Sequence, residues 1–146
     1  GDLMQLIEAH KGNDVFIRED AIWEYLAQIC HGLSYLHKNN ILHRDIKARN
    51  IFLDSELNVK IGDLGLGREL GPASRLAYTA VGTPLYFSPE MCQEEGYNDK
   101  CDVWALGCLI FEMSGKYFNY CLYTKVPIRG LHIFLYTYIY YTNDFI

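Results

Sequence analysis

Eight consecutive residues, His43-Arg44-Asp45-Ile46-Lys47-Ala48-Arg49-Asn50, crowd reactive side chains together. Asp45 could accept a proton from an alcohol. Lys47 could neutralise an anion in transit, and Asn50 could offer an oxygen to a hard cation such as Mg2+. Together these meet the needs of phosphoryl transfer, where positioning and charge neutralisation carry most of the catalysis. Taken alone, such a run reads as a solvated turn with a capping aspartate. Its setting strengthens the functional reading, because polar loops between apolar elements concentrate binding and catalytic residues.

Further motifs follow. Asp63-Leu64-Gly65 comes thirteen residues after Asn50. A carboxylate at a strand end, with glycine nearby for backbone freedom, can reach a second metal position. Gly82-Thr83-Pro84-Leu85-Tyr86-Phe87-Ser88-Pro89-Glu90 and Asp102-Val103-Trp104 with Gly107 complete the series.

The elements that would position these groups are legible as periodicity. Ile22, Leu26, Ile29, Leu33 and Leu36 recur at three- and four-residue intervals, which predicts a helix over 18–38. Glu19 and Asp20 in its first turn and His37 and Lys38 in its last match the helix dipole. A short helix is expected over 2–9, with Met4, Trp23 and Tyr35 as packing residues. Ile41-Leu42 can begin a strand that delivers the polar loop. Ile51–Leu53 and Val59–Ile61 read as a hairpin around Asp54–Asn58. Residues 62–88 lack periodicity and read as one long functional or disordered loop. The stretch 102–113 is apolar all round, so it is expected to be a buried helix, with a far side left exposed.

Composition narrows the class. Half of the 146 residues are hydrophobic, which permits a packed core. A net charge of -5 argues against a nucleic-acid surface. The five cysteines contain no C-x-x-C pair, against a zinc or redox centre, and fit a reducing compartment. The N-terminus shows no signal-peptide pattern and no initiator Met, as if the chain began mid-domain. Leu131–Tyr141 is too short for a membrane span. Beyond about Met113 the composition shifts: seven of the twelve tyrosines fall in 117–141. Residues 114–146 therefore read as a separate tail, unstructured or the product of mis-splicing.

With these motifs in this order, residues 1–113 resemble the eukaryotic protein kinase family, whose catalytic loop reads H-R-D-x-x-x-x-N. Leu64 where Phe is usual, the run Lys60–Arg68 and the opening Gly1-Asp2-Leu3 are similar to the NIMA-related kinases. Ala48-Arg49 departs mildly from the usual Pro-x. The resemblance implies an α+β, two-lobed family fold, of which this chain would be a partial C-lobe, mainly α with short β-hairpins. It implies ATP and Mg2+ as cofactors and protein Ser/Thr substrates, since Lys47 and Thr83 follow the Ser/Thr pattern. It also implies a cytoplasmic protein with cytoskeletal or nuclear sites.

The roles implied are these. Asp45 would orient the substrate hydroxyl as catalytic base, and Lys47 would neutralise the γ-phosphate. Asn50 and Asp63 would hold Mg2+. Phe52 would pave the adenine floor and Asp2 would lie near the ribose. Thr83 would contact Asp45 and Lys47. His43 and Leu64 would stack in an apolar spine, and Asp102 would anchor the catalytic-loop backbone. Arg44 would read a phosphate on the loop, at Thr79 before Ser74 or Tyr78. Glu90 would pair with an arginine from later helices. No G-x-G-x-x-G loop and no strand lysine occur in these 146 residues. On that reading the ATP-covering lobe is missing and the chain alone is inactive. An interaction module without turnover, or a gene-model artefact, is the alternative.

Overall fold

The computed structural model describes residues 1–71 and 76–114. Its scaffold is set by α2, Glu19–Lys38, whose Ile22, Tyr25, Leu26, Ile29 and Leu33 are buried. Ile29 is fully buried; burying such a side chain contributes about 1.5–3 kcal/mol. The expected start at residue 18 is Arg18, the N-cap, which makes no side-chain capping bond. The exposed Arg18–Asp20 pair beside it adds little, because exposed pairs are screened by solvent.

The hairpin forms as read. β2 (Ile51–Leu53) pairs antiparallel with β3 (Val59–Ile61) in the register Ile51 to Ile61 and Leu53 to Val59. Asp54 Oδ1 accepts from the backbone N–H groups of Glu56 and Asn58, both at 2.9 Å. That ring of local bonds makes the turn. The hairpin lies against α2: Gln28 Oε1 accepts from the N–H of Val59 at 2.8 Å. α1, Leu3–Gly12, runs three residues past its expected end at 9. Its N-cap is Asp2, in a capping box with Gln5.

α4, Lys100–Met113, begins two residues before the expected Asp102, with nine of its residues buried. Leu106, Leu109, Ile110 and Met113 enter the core shared by α1, α2 and the hairpin. The expected exposed far side is not found: Trp104, Cys108 and Phe111, along one stripe, are each half-buried. Tyr35, by contrast, is 70% exposed and is not a packing residue. It occupies the polar face of α2, opposite the buried stripe.

The region read as one loop contains structure. β1 (Ile41–Leu42) pairs antiparallel with β4 (Arg68–Glu69). Single-turn helices form at Ala48–Asn50, Leu64–Leu66 and Pro84–Tyr86, and α3 spans Pro89–Cys92. A second small core of Leu42, Ala77, Met91, Tyr97 and Cys101 sits beneath them. Ser74 and residues 115–146, to which the expected tail belongs, lie outside the described residues. No described helix is long and apolar enough to cross a membrane.

Candidate active site

β1 ends at Leu42 and hands the chain to His43 and Arg44, whose backbone is fixed from below. The Asp102 carboxylate accepts from the N–H of His43 at 2.9 Å and from that of Arg44 at 2.8 Å. Two successive amides on one carboxylate need an unusual turn, and Arg44 adopts φ 68. His37, at the end of α2, adds a third bond from Nε2 to Asp102 at 2.9 Å. Asp102 is 1% exposed, so all three contacts lie away from water.

His43 is fully buried. Its Nδ1 faces the N–H of Asp45 at 3.3 Å and its Nε2 faces the carbonyl of Gly62 at 2.9 Å. An acceptor at Nδ1 and a donor at Nε2 define the neutral ring tautomer. Such a ring is scaffolding, with neither nitrogen spare for proton transfer.

This scaffold aims Asp45 into a closed polar ring. Lys47 Nζ donates to Asp45 Oδ2 at 2.6 Å and to Thr83 Oγ1 at 2.9 Å. The Thr83 hydroxyl donates to Asp45 Oδ1 at 2.8 Å. Asn50 Nδ2 donates to the Asp45 carbonyl at 2.8 Å and to Oδ2 at 2.9 Å. Burial pushes the Asp45 carboxyl up. The bonds from Lys47, Thr83 and Asn50 and the charge of Lys47 outweigh this and hold it below the usual carboxylate range. Asp45 is thus ionised at neutral pH, accepts an alcohol hydrogen bond from Thr83, and lies beside a cation.

Thr83 reaches Asp45 from 38 residues away in sequence through Gly82. Gly82 has φ 120, and a Cβ there would lie 2.3 Å from the Arg44 carbonyl oxygen. No other residue allows that approach. Gly82→Ala is expected to destabilise the fold by about 2–3 kcal/mol through the forbidden φ and the clash, read as a lower midpoint in urea. An unchanged midpoint would show that the backbone crossing is not required.

The hairpin brings the main chain next to Asp63 back to Asn50, since the N–H of Gly62 donates to the Asn50 carbonyl at 2.9 Å. Asp63 is exposed, with φ 58. Asn50 spends its amide nitrogen on Asp45, which leaves its oxygen to accept elsewhere. One carboxylate and one amide oxygen fit Mg2+, a cation that keeps several waters and takes substrate phosphates as its other ligands. No group of three or more His, Cys, Asp or Glu that could hold a metal occurs among the described residues. A dedicated all-protein cage is therefore not what the donor set offers.

The protein kinase domain pattern matches residues 1–127. The chain belongs to the protein kinase family. It is 47% identical over 113 residues to the serine/threonine-protein kinase Nek1 of Mus musculus, covering 77% of this chain and 9% of that protein. It is 47% identical over 114 residues to Nek5 of Homo sapiens, covering 77% and 16%. It is 46% identical over 117 residues to the probable serine/threonine-protein kinase nek2 of Dictyostelium discoideum, covering 78% and 28%. The chain thus spans between 9% and 28% of the length of these relatives.

Within this kinase domain segment the remaining expected residues are placed as follows. Phe52 is 44% exposed in the middle of β2. Its ring lies over Gly62, where a Cβ would come within 2.5 Å of it. Asp2 pairs with Phe52 in an isolated bridge, so both flank one edge of the hairpin, while Asp2 Oδ1 is engaged in capping Gln5. Of the two residues expected to stack in an apolar spine, His43 is fully buried and Leu64 is 49% exposed. Glu90 is half-buried and its carboxylate has no ion pair among the described residues. Thr79 is exposed, and Arg44 donates from Nε to the Leu66 carbonyl at 2.7 Å.

Three contributors were not identified from the sequence. His37 gave only a helix-dipole signal. Tyr97, 2% exposed, lies in a stretch without periodicity. Tyr86 donates to Glu112, joining the Pro84 turn to α4; burial first, then the Glu112 carboxylate, push its phenol far above the usual range. Apart from the family resemblance, which implied that Thr83 contacts Asp45 and Lys47, only glycine and proline around Thr83 hinted that this segment crosses the site.

Proposed function

We propose that this segment belongs to a serine/threonine protein kinase that transfers the γ-phosphoryl of ATP to Ser or Thr of proteins with Mg2+. The observation that supports it most is the ring of Asp45, Lys47, Asn50 and Thr83. In that ring an ionised carboxylate already accepts a hydrogen bond from a threonine hydroxyl beside a lysine. A substrate hydroxyl asks for the same acceptor, and a transferring phosphoryl for the same cation.

On this reading residues 1–113 form part of a C-lobe and residues 114–146 a separate tail. Asp45 orients the substrate, and Lys47 neutralises the phosphoryl oxygens. Asn50 and Asp63 would hold Mg2+, whose charge would offset that of the phosphate oxygens. The exposed Phe52 ring underlies adenine, with Asp2 toward the ribose. Thr79 is the modified hydroxyl that Arg44 reads. Glu90, half-buried and without an ion pair among the described residues, awaits a cation. The partners are proteins and ATP, in the cytoplasm and at cytoskeletal or nuclear sites.

The test is a chimera in which residues 1–113 replace the matching segment of mouse Nek1. With radiolabelled ATP and Mg2+, label is expected on Ser and Thr of a mixed peptide library. A folded chimera that transfers no label, or labels only Tyr, overturns the reading. The 146-residue chain alone is expected to show no turnover, which is also what an interaction module would do.

A further inference from the structure

Tyr97 stands between two groups that regulation of this site would have to bring together. Its phenol oxygen accepts from an Arg44 terminal nitrogen at 3.3 Å and donates to the Thr79 carbonyl at 2.5 Å. Its main chain holds the same loop. The N–H of Ala77 donates to the Tyr97 carbonyl at 2.8 Å, and the N–H of Tyr97 donates to the Ala77 carbonyl at 2.9 Å. One residue therefore fixes the segment 77–79 by a two-way backbone bridge and by its side-chain tip.

The packing around it is built for this approach. Ala77 is fully buried and Tyr97 is 2% exposed. A Cβ on Gly96 would lie 2.8 Å from the Tyr78 ring and 3.0 Å from a Leu76 methyl. Glycine here admits the loop. Phenylalanine would fill the same volume, so the hydroxyl serves only these two bonds. A buried phenol is stable where its O–H finds a partner, and here it finds one on each side of the site.

Two further observations point to what the arrangement receives. Thr79 itself is exposed, while its carbonyl is pinned. Arg44 uses Nε on Leu66 and one terminal N–H on Tyr97. Of the five donors of a guanidinium, that leaves three unused among the described residues. The Thr79 main chain lies two hydrogen bonds from this guanidinium, through the Tyr97 hydroxyl.

We propose that Tyr97 is a positioning residue for control by phosphorylation. Its hydroxyl ties the Arg44 guanidinium to the main chain at Thr79, so that a phosphate on Thr79 is presented to the unused donors of Arg44. Tyr97 touches neither ATP nor the reacting atoms. It acts through Arg44 and Thr79, and the inference rests on the reading of Thr79 as the modified hydroxyl.

The test uses the 146-residue chain with phosphothreonine incorporated at position 79 during synthesis, and follows removal of the phosphate by a nonspecific phosphatase. A phosphate paired with Arg44 is removed slowly, and Arg44→Ala should accelerate its loss. Tyr97→Phe should accelerate it about fivefold, the equivalent of one typical hydrogen bond. Hydrogen exchange at the Ala77 amide should stay at the parental rate, because the backbone bridge remains. Acceleration by Arg44→Ala with parental release in Tyr97→Phe overturns the role of Tyr97 and leaves the Thr79 reading standing. Parental release in both variants overturns both. Faster release in Tyr97→Phe accompanied by equally faster Ala77 exchange reports lost structure in place of lost positioning, and also overturns the role.

Discussion

Asp45→Asn in the chimeric kinase is expected to lower kcat by about 10²–10⁴-fold, the usual contribution of a positioned acid or base, with little change in KM for ATP. The asparagine keeps the size of the side chain, and one of its two terminal atoms can no longer accept. Thr83 holds Oδ1, while Lys47 and Asn50 share Oδ2, so either orientation of the amide turns an NH2 toward a donor. Lys47 also loses the carboxylate at 2.6 Å that fixes its position. Retention of more than a tenth of parental kcat would rule out an orienting role for Asp45. The same variant has a pH signature. Because the folded-state pKa of Asp45 is lowered, its ionised form contributes stability above the unfolded value, near 3.9. That contribution is lost as pH falls through the folded pKa. Acid unfolding of the parent chain should therefore be steeper below about pH 4 than that of Asp45→Asn.

The depressed pKa also qualifies the chemistry. A carboxylate held well below neutrality is a poor proton acceptor by driving force alone. Within the proposed reaction Asp45 would mainly orient the hydroxyl. The proton would pass late, once the oxygen has become more acidic through bonding to phosphorus.

What the sequence made legible is local. Asp45, Lys47 and Asn50 lie within six residues, so their shared purpose shows in spacing before any fold is known. The hairpin is legible because two short β-prone runs, Ile51–Leu53 and Val59–Ile61, flank the polar Asp54 turn. α2 is legible because its stripe repeats over twenty residues. The rest is held by contacts between residues far apart, which leave no periodicity. β4 has two residues and acquires its identity from Ile41–Leu42, about twenty-seven positions earlier. Gly82 could be read as a turn glycine. That it is required because the Arg44 carbonyl crosses it is a fact about two segments meeting. Leu64 looks like a core residue by type, yet on the single turn Leu64–Leu66 its side chain is 49% exposed. Tyr97 could not be separated from any other tyrosine until its hydroxyl was seen between Arg44 and Thr79.

Asp102→Asn should be the most destabilising conservative change in the chain. Asp102 accepts from three strong donors, the N–H groups of His43 and Arg44 and Nε2 of His37, and weakly from the Cys101 thiol at 3.9 Å. An asparagine has one carbonyl oxygen and must turn its NH2 toward at least one of them. In a site 1% exposed no water is at hand to take the orphaned donor, and the bonds lost are charge-assisted. Removing one partner from such a buried constellation costs about 3–5 kcal/mol, a large part of the stability of a small domain. His37→Gln should cost less, about 1–2 kcal/mol, because it removes one of the three bonds and leaves the backbone anchors in place. The two changes share a partner, so the double variant should be less destabilised than the sum of the singles. Urea denaturation of the four chains measures all three quantities. An Asp102→Asn midpoint within about 1 kcal/mol of the parent, the worth of one ordinary hydrogen bond, would mean that the turn at Arg44, with its φ of 68, stands without its anchor. The ordered result, with Asp102→Asn well below His37→Gln, would trace the position of Asp45 to a carboxylate fifty-seven residues away on α4.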